Sequence, residues 1–324
     1  MINEYIHSLH IPNVAISQLF LSFLFSGCAF YLFLSKGNRR TGLCLLVLAG
    51  VMLRLYAASD LYLHPWDERY HALVGKNLLN HLLKPTLYET PALPYNHENW
   101  TDSHIWLHKP PLSLWTIAGS IAAFGNTEIA VRLPSVILSS LSILLIYGVG
   151  VMLVDPRTAF LAAFLFSWSS PVLELVGGRA PLDHVDTMML AFVLAGVWCA
   201  GAQVQSGKTY LLGLLGLITG LAILTKSLPS LIVPSIWLIW ALCEGKSGFK
   251  TIGGLLVVVS IAFLVAAPWH FYIHQQYPSE AAWESRYILR HLFETLEGHT
   301  HRWSYYFSKM GRNFSEIVVV VQSD

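Results

Sequence analysis

Eight stretches of this chain are apolar and long enough to be candidates for crossing a bilayer: 13 to 35, 41 to 59, 129 to 153, 158 to 176, 187 to 204, 210 to 224, 228 to 243 and 250 to 269. A hydrocarbon core about 30 Å thick is spanned by about 20 helical residues, and backbone in lipid must satisfy its own hydrogen bonds. The pattern therefore predicts an all-α, polytopic membrane protein. Composition agrees, since 54% of the 324 residues are hydrophobic and 12% are charged, against about 25% charged in soluble domains. The first run follows "MINEYIHSLH", which has no basic residue, and no small-residue cleavage site follows it, so we expect a retained helix. A net charge of +1 argues against a nucleic-acid partner. Cys28, Cys44, Cys199 and Cys243 are scattered singly through apolar runs, as small buried hydrophobes are.

Charge sets the orientation. The short loops "KGNRR", "DPR", "QSGK" and "EGKSGFK" hold seven Lys or Arg against two acids, which makes them cytoplasmic by the positive-inside rule. The N-terminus, the long segment 60 to 128, the turn 177 to 186, the turn at Lys226 and the tail from 270 then lie on the opposite side. This parity requires the 13-residue apolar stretch 112 to 124 not to cross, and we expect an interfacial helix there. All 14 histidines fall on the external side. Any active site is expected to face outward.

In "HPWDERYHALVGKNLL" helical periodicity begins after Pro65, placing Asp67 and Glu68 at a helix start. Asp67 is either a plain N-cap or a site carboxylate, and His71 lies one turn on. In "DSHIWLHKPPLSLW" two prolines fix a helix start at Pro110 or Pro111, directly after Lys109. A lysine at a helix N-terminus suits a phosphate, or it snorkels to headgroups with Trp106 and Trp115 as belt residues. His104 and His108 are spaced as metal ligands only if that segment were helical, which the prolines oppose. "GGRAPLDHVDTMML" crowds Arg179, Asp183, His184 and Asp186 at the mouth of a span, where a carboxylate either caps the helix or works. Lys226 in "LTKSLP" is a second phosphate candidate or another snorkelling lysine. The tail 268 to 307 alternates aromatic, basic and histidine residues, with an interfacial helix expected over 279 to 296 and His299 and His301 beyond it.

In their order along the chain, "WDERYHALVGKNLL", "HKPPLSLWTIAGSIAAFGNTEIAVRLPSVI", "APLDHVDTMMLAF", "GLAILTKSLPSLIVP" and "APWHFYIHQQYP" resemble the GT-C superfamily of membrane glycosyltransferases. The similarity is to the bacterial branch of aminoarabinose lipid A transferases and protein O-mannosyltransferases. The resemblance implies a GT-C-type transmembrane core with interfacial helices in a large first external loop. It divides the chain into 1 to 59 (an extra N-terminal span and the first core span), 60 to 128 (the external loop), 129 to 269 (six core spans) and 270 to 324 (the tail and the start of a further span). Family members continue with more helices and often a soluble domain, so the expectation is of a truncated core.

The resemblance also implies chemistry: inverting transfer of a sugar from a polyprenyl-phosphate carrier to a lipid, protein or glycan acceptor at the external face, among membrane lipids. A phosphate leaves as a stable anion, so the reaction needs a base for the acceptor and cations for the phosphate. Asp67 is the expected base, Glu68 its neighbour and Asp186 the second carboxylate, with Asp183 the alternate. Lys109 and Lys226 are the expected phosphate ligands, with Arg69 and Arg179 secondary and Tyr70 beside them. Aminoarabinose transferases usually carry a metal-associated glutamate where this chain has His108. A histidine can ligate zinc, so the expectation for His299 and His301 is either to complete a metal site with His108, for a divalent ion (Zn, Mg or Mn), or to bind acceptor. The rival readings are a carrier, which predicts charges inside spans and two repeated halves, and a lipid-binding assembly subunit. No internal repeat is visible, and Arg54 is the main charge inside a span.

Overall fold

The computed structural model describes residues 13 to 90, 94 to 99, 101 to 179, 184 to 246, 248 to 290 and 293 to 294. Among these residues the ordered elements are helices: α1 (Asn13–Phe30, continued as a π turn Tyr31–Ser35), α2 (Arg39–Ala57), α3 (Asp67–Asn77), α4 (Pro111–Phe124), α5 (Glu128–Leu153) and α6 (Pro156–Ser167). They are followed by α7 (Ser170–Val176), α8 (His184–Ser206), α9 (Tyr210–Lys226), a 3-10 turn (Leu228–Leu231), α10 (Ile232–Cys243), α11 (Phe249–Gln276) and α12 (Pro278–Arg290).

All eight expected spans are helical, but they are not equal. Five helices are long and apolar enough to cross: α1 with its π turn, α2, α5, α8 and α11. The expected span 158 to 176 is instead a pair, α6 and α7, bent by 52°. The runs 210 to 224 and 228 to 243 form helices shorter than a full crossing, because Pro229 and the 3-10 turn interrupt the second of them. The protein is an integral membrane protein. Helix α4 has 14 residues, about 21 Å at 1.5 Å per residue, short of the core thickness.

Close helix packing comes from small residues, as expected where lipid supplies no hydrophobic drive between helices. On α9, Gly216 and Gly220 abut α11 so tightly that a Cβ would come within 2.8 Å of Ile261 and 2.6 Å of Val265. The break between α6 and α7 falls where Pro171 has no N–H for the Ser167 carbonyl, and Arg54, fully buried on α2, answers that carbonyl. Its Nε donates to Ser139 Oγ at 2.7 Å and its Nη1 to Gly50 O and to Ser167 O, the last residue of α6. A guanidinium there satisfies a carbonyl that the bend frees.

The external loop folds around Trp106, which is 1% exposed among Val74, Leu78, Leu87, Leu114 and Ala118. A single antiparallel bridge, Thr86 to Ile105, joins its two arms, and Asn77 Nδ2 on α3 donates to Thr86 O at 2.8 Å. Trp106 is thus a core residue of the loop and not a belt residue. Trp115 packs edge-on against Trp269 and donates to Leu82 O, so it too has an internal role. Helix α12, Pro278–Arg290, covers the first twelve residues of the expected interfacial helix 279 to 296.

Candidate active site

Glu68 and Asp67 point to different tasks. Glu68 is 1% exposed and meets Arg132, which is fully buried in the second turn of α5. Arg132 Nε donates to Glu68 Oε1 at 2.7 Å and Nη2 to Oε2 at 3.0 Å. Its remaining N–H groups donate to Ala58 O at 3.1 Å, Asp60 O at 2.6 Å and Tyr62 O at 2.6 Å. A guanidinium has five N–H donors, so every one is used. Glu68 Oε2 also accepts from the His64 backbone N–H at 2.6 Å and lies 3.0 Å from His64 Nδ1, while Oε1 is 3.5 Å from His184 Nε2. Asp60 completes the cluster, with Oδ2 3.4 Å from His64 Nε2 and accepting from Arg179 Nε and Nη2 at 3.0 and 2.8 Å. Gly178 has φ +72°, and a Cβ there would sit 2.4 Å from the Glu68 carboxyl carbon. This cluster pins the start of α3 to α5, to the turn before α8 and, through His184 and its 2.8 Å contact with Ser135, to α8 itself.

Burial pushes the Glu68 carboxyl up, but hydrogen bonds from His184, His64 and Arg132 outweigh it and hold the group well below the usual carboxylate range. Burial lowers His64, and its bonds to Asp60 and Glu68 raise it further than burial lowers it. A raised histidine contributes stability that is complete below its unfolded value and is lost as pH rises through the folded one; the depressed Glu68 keeps its contribution until pH falls far into acid. Stability is therefore expected to decline as pH rises above the ordinary histidine range, about 6.5, toward the raised value of His64. Thermal unfolding in detergent across that range should show the decline in the wild type and a flatter profile in His64→Asn.

Asp67 is the first residue of α3, not its N-cap. The cap position belongs to Trp66, whose φ of 69° lies in the left-handed region and which is 65% exposed. Asp67 is half-buried and forms no hydrogen bond or ion pair among the described residues. The capping alternative is thereby removed. Tyr70, one turn on, lies parallel to Trp106 at 6.4 Å, and Arg69 donates to Leu63 O at 3.0 Å.

Lys109 immediately precedes Pro110 at the cap of α4 and Pro111 at its first residue, as the double proline requires. It is half-buried and forms no ion pair among the described residues. Leu107 and Leu112 on either side of it share a cluster with Leu224, two residues before Lys226. Lys226 pairs with Asp186 Oδ1. The segments bearing Asp67, Lys109, Asp186 and Lys226 are therefore linked in one connected assembly, through the Glu68 cluster, the Asp186–Lys226 pair and the leucine contacts.

His108 Nδ1 lies 3.5 Å from Glu284 Oε2 on α12. Among the described residues no group of three His, Cys, Asp or Glu side chains could hold a metal ion. Asp183, His299 and His301 lie outside the described residues. Sequence reasoning passed over Arg132, Asp60, His64 and Glu284. Arg132 had a signal, an arginine within a 26-residue apolar helix, where an ionisable group marks a functional or structural need.

Residues 108–272, slightly more than half of the chain, match the family described as Dolichyl-phosphate-mannose-protein mannosyltransferase. The chain belongs to this family. Members of known sequence similar to it include the undecaprenyl phosphate-alpha-4-amino-4-deoxy-L-arabinose arabinosyl transferase of Erwinia tasmaniensis, 33% identical over 194 residues, 56% of this chain and 34% of that one. The enzyme of the same name from Pectobacterium atrosepticum is 28% identical over 239 residues, 71% of this chain and 39% of that one. The crystal structure of ArnT from Cupriavidus metallidurans bound to undecaprenyl phosphate superposes with a TM-score of 0.63 at 17% identity, covering 85% of this chain and 49% of that one. This likeness shows the GT-C-type membrane fold. The chain spans 34 to 39% of the length of these two curated transferases.

Proposed function

We propose that this family member is an inverting glycosyltransferase that moves a sugar from a polyprenyl-phosphate carrier to an acceptor on the periplasmic face of a bacterial inner membrane. The observation that carries the reading is the packing together of the helix ends that bear Asp67, Lys109, Asp186 and Lys226. It supplies two carboxylates and two cations, which are the groups that displacement of a phosphate from an anomeric carbon requires. A cavity of about 680 Å³ among α9, α10 and α11, lined by Ile223, Phe263 and Ala266 among others, suits the hydrocarbon of such a carrier. The relatives' names make an aminopentose the first donor to try; a hexose and the choice among lipid, protein and glycan acceptors belong to the same reading.

In this mechanism the acceptor O–H or N–H attacks the anomeric carbon as its bond to the phosphate oxygen breaks. The proton passes to Asp67, the electron pair leaves with the polyprenyl phosphate, and one displacement inverts the centre. Lys109 and the N–H groups of Leu112 and Ser113, the first that the two prolines leave at the start of α4, hold the developing phosphate charge. Glu68 takes no proton, since Arg132 and His64 occupy its oxygens; it positions Asp67. Arg179, engaged by Asp60, and Arg69, turned to Leu63, serve the loop's shape. Among the described residues His108 with Glu284 provides two metal-capable donors; His299 and His301 lie outside them, and the steps above are carried by the chain's own side chains.

The reading is tested by transfer of labelled sugar from a polyprenyl-phosphate donor in membranes containing the protein. Lys109→Ala is expected to raise the donor KM by about 10- to 100-fold, the loss of a charge-assisted phosphate contact. An unchanged KM in a normally expressed variant would remove Lys109 from the donor site.

A further inference from the structure

Three acid–base pairs surround the site, and they differ in how firmly they are closed. Glu68 with Arg132 makes two contacts with both side chains fully buried. Asp60 with Arg179 makes two, partly buried. Asp186 with Lys226 makes one, between side chains 22% and 29% exposed. A single, partly solvated contact is the least costly of the three to open. It is also the pair carried on a segment packed, through Leu224, against the leucines that flank Lys109.

We infer that the Asp186–Lys226 pair is an exchangeable lock on the donor site. A lipid-linked phosphate displaces the Asp186 carboxylate from Lys226, and the released carboxylate then receives the acceptor. This rests on the proposed function and adds an order of events to it. At Lys226 the Asp186 carboxylate answers one ammonium, whereas a phosphate entering beside Lys109 answers two, so the exchange favours the phosphate although both anions compete for the same ammonium. Before the donor arrives Asp186 is neutralised and holds acceptor weakly, so the donor binds first. After transfer the returning carboxylate competes with the product phosphate for Lys226 and helps expel it.

The arrangement predicts a sign that a purely structural ion pair would not give. Removing the carboxylate should tighten phosphate binding. Binding of neryl phosphate to the full chain in detergent, with nerol as the control for the hydrocarbon alone, is measured for each variant. Asp186→Asn is expected to bind about three- to tenfold more tightly than wild type, and Lys226→Met more weakly. The double variant should match Lys226→Met alone, because the carboxylate then has nothing to release. Asp186→Ser repeats the comparison without an amide able to bond the lysine, and melting temperatures confirm that each variant is folded. Weaker or unchanged binding in both folded Asp186 variants, or a gain that persists without Lys226, overturns the lock while leaving the proposed function standing if binding still depends on Lys109. Wild-type protein that distinguishes neryl phosphate from nerol in no way overturns both.

Discussion

Arg132→Met is expected to lower unfolding stability by about 3–5 kcal/mol, the usual consequence of removing one partner of a buried ion pair. Both side chains of the pair are fully buried, so methionine leaves the Glu68 carboxylate without its guanidinium and without water. The damage extends further, because Arg132 also receives the carbonyls of Ala58, Asp60 and Tyr62. Three acceptors in a chain segment leaving the membrane would lose their donor together, and each buried unsatisfied group carries its own desolvation cost. Adding Glu68→Leu should recover part of the loss, since an apolar pair can replace a buried ionic one, but the three carbonyls remain unanswered. Denaturant unfolding in detergent of the two variants measures both terms. Full recovery in the double variant would show that the carbonyl contacts contribute nothing.

The membrane class and the helical content were legible because they depend on composition and period, which a chain carries locally. The double proline after Lys109 placed the start of α4 to within one residue for the same reason. What was not legible depended on contacts far apart in sequence. Asp67 and Glu68 are adjacent, and side by side they suggest a carboxylate pair. Only the distant Arg132 shows that one of them is turned into the protein. Helical geometry sends successive residues about 100° apart, so adjacency in sequence is a poor guide to a shared site. Likewise Trp106 and Trp115 have the composition of an interfacial belt, yet one is the centre of the loop's core and the other packs on Trp269. Span lengths were overestimated where a hydrophobic run hides a turn: "SLPSL" is apolar enough to continue a helix by hydropathy, but Pro229 converts it to a 3-10 turn.

Asp67→Asn should reduce transfer by about 10²–10⁴-fold, the range for loss of a positioned general base, while stability changes by less than about 0.5 kcal/mol, as for a substitution that breaks no named contact. The two numbers together make the argument. Asparagine keeps the size of the side chain and removes only the ability to take a proton, and among the described residues Asp67 has no hydrogen bond or ion pair to lose. Glu68→Gln gives the complementary result: a loss of stability through the bonds to Arg132 and His64, with activity falling in step with the folded fraction and with displacement of Asp67. Donor binding separates the roles further, because in the proposed mechanism Asp67 acts on the acceptor, and its loss should leave the KM for the polyprenyl-phosphate sugar nearly unchanged. Full transfer by a folded Asp67→Asn protein would move the base elsewhere, and Asp186, released from Lys226 when phosphate binds, is the carboxylate that remains to serve.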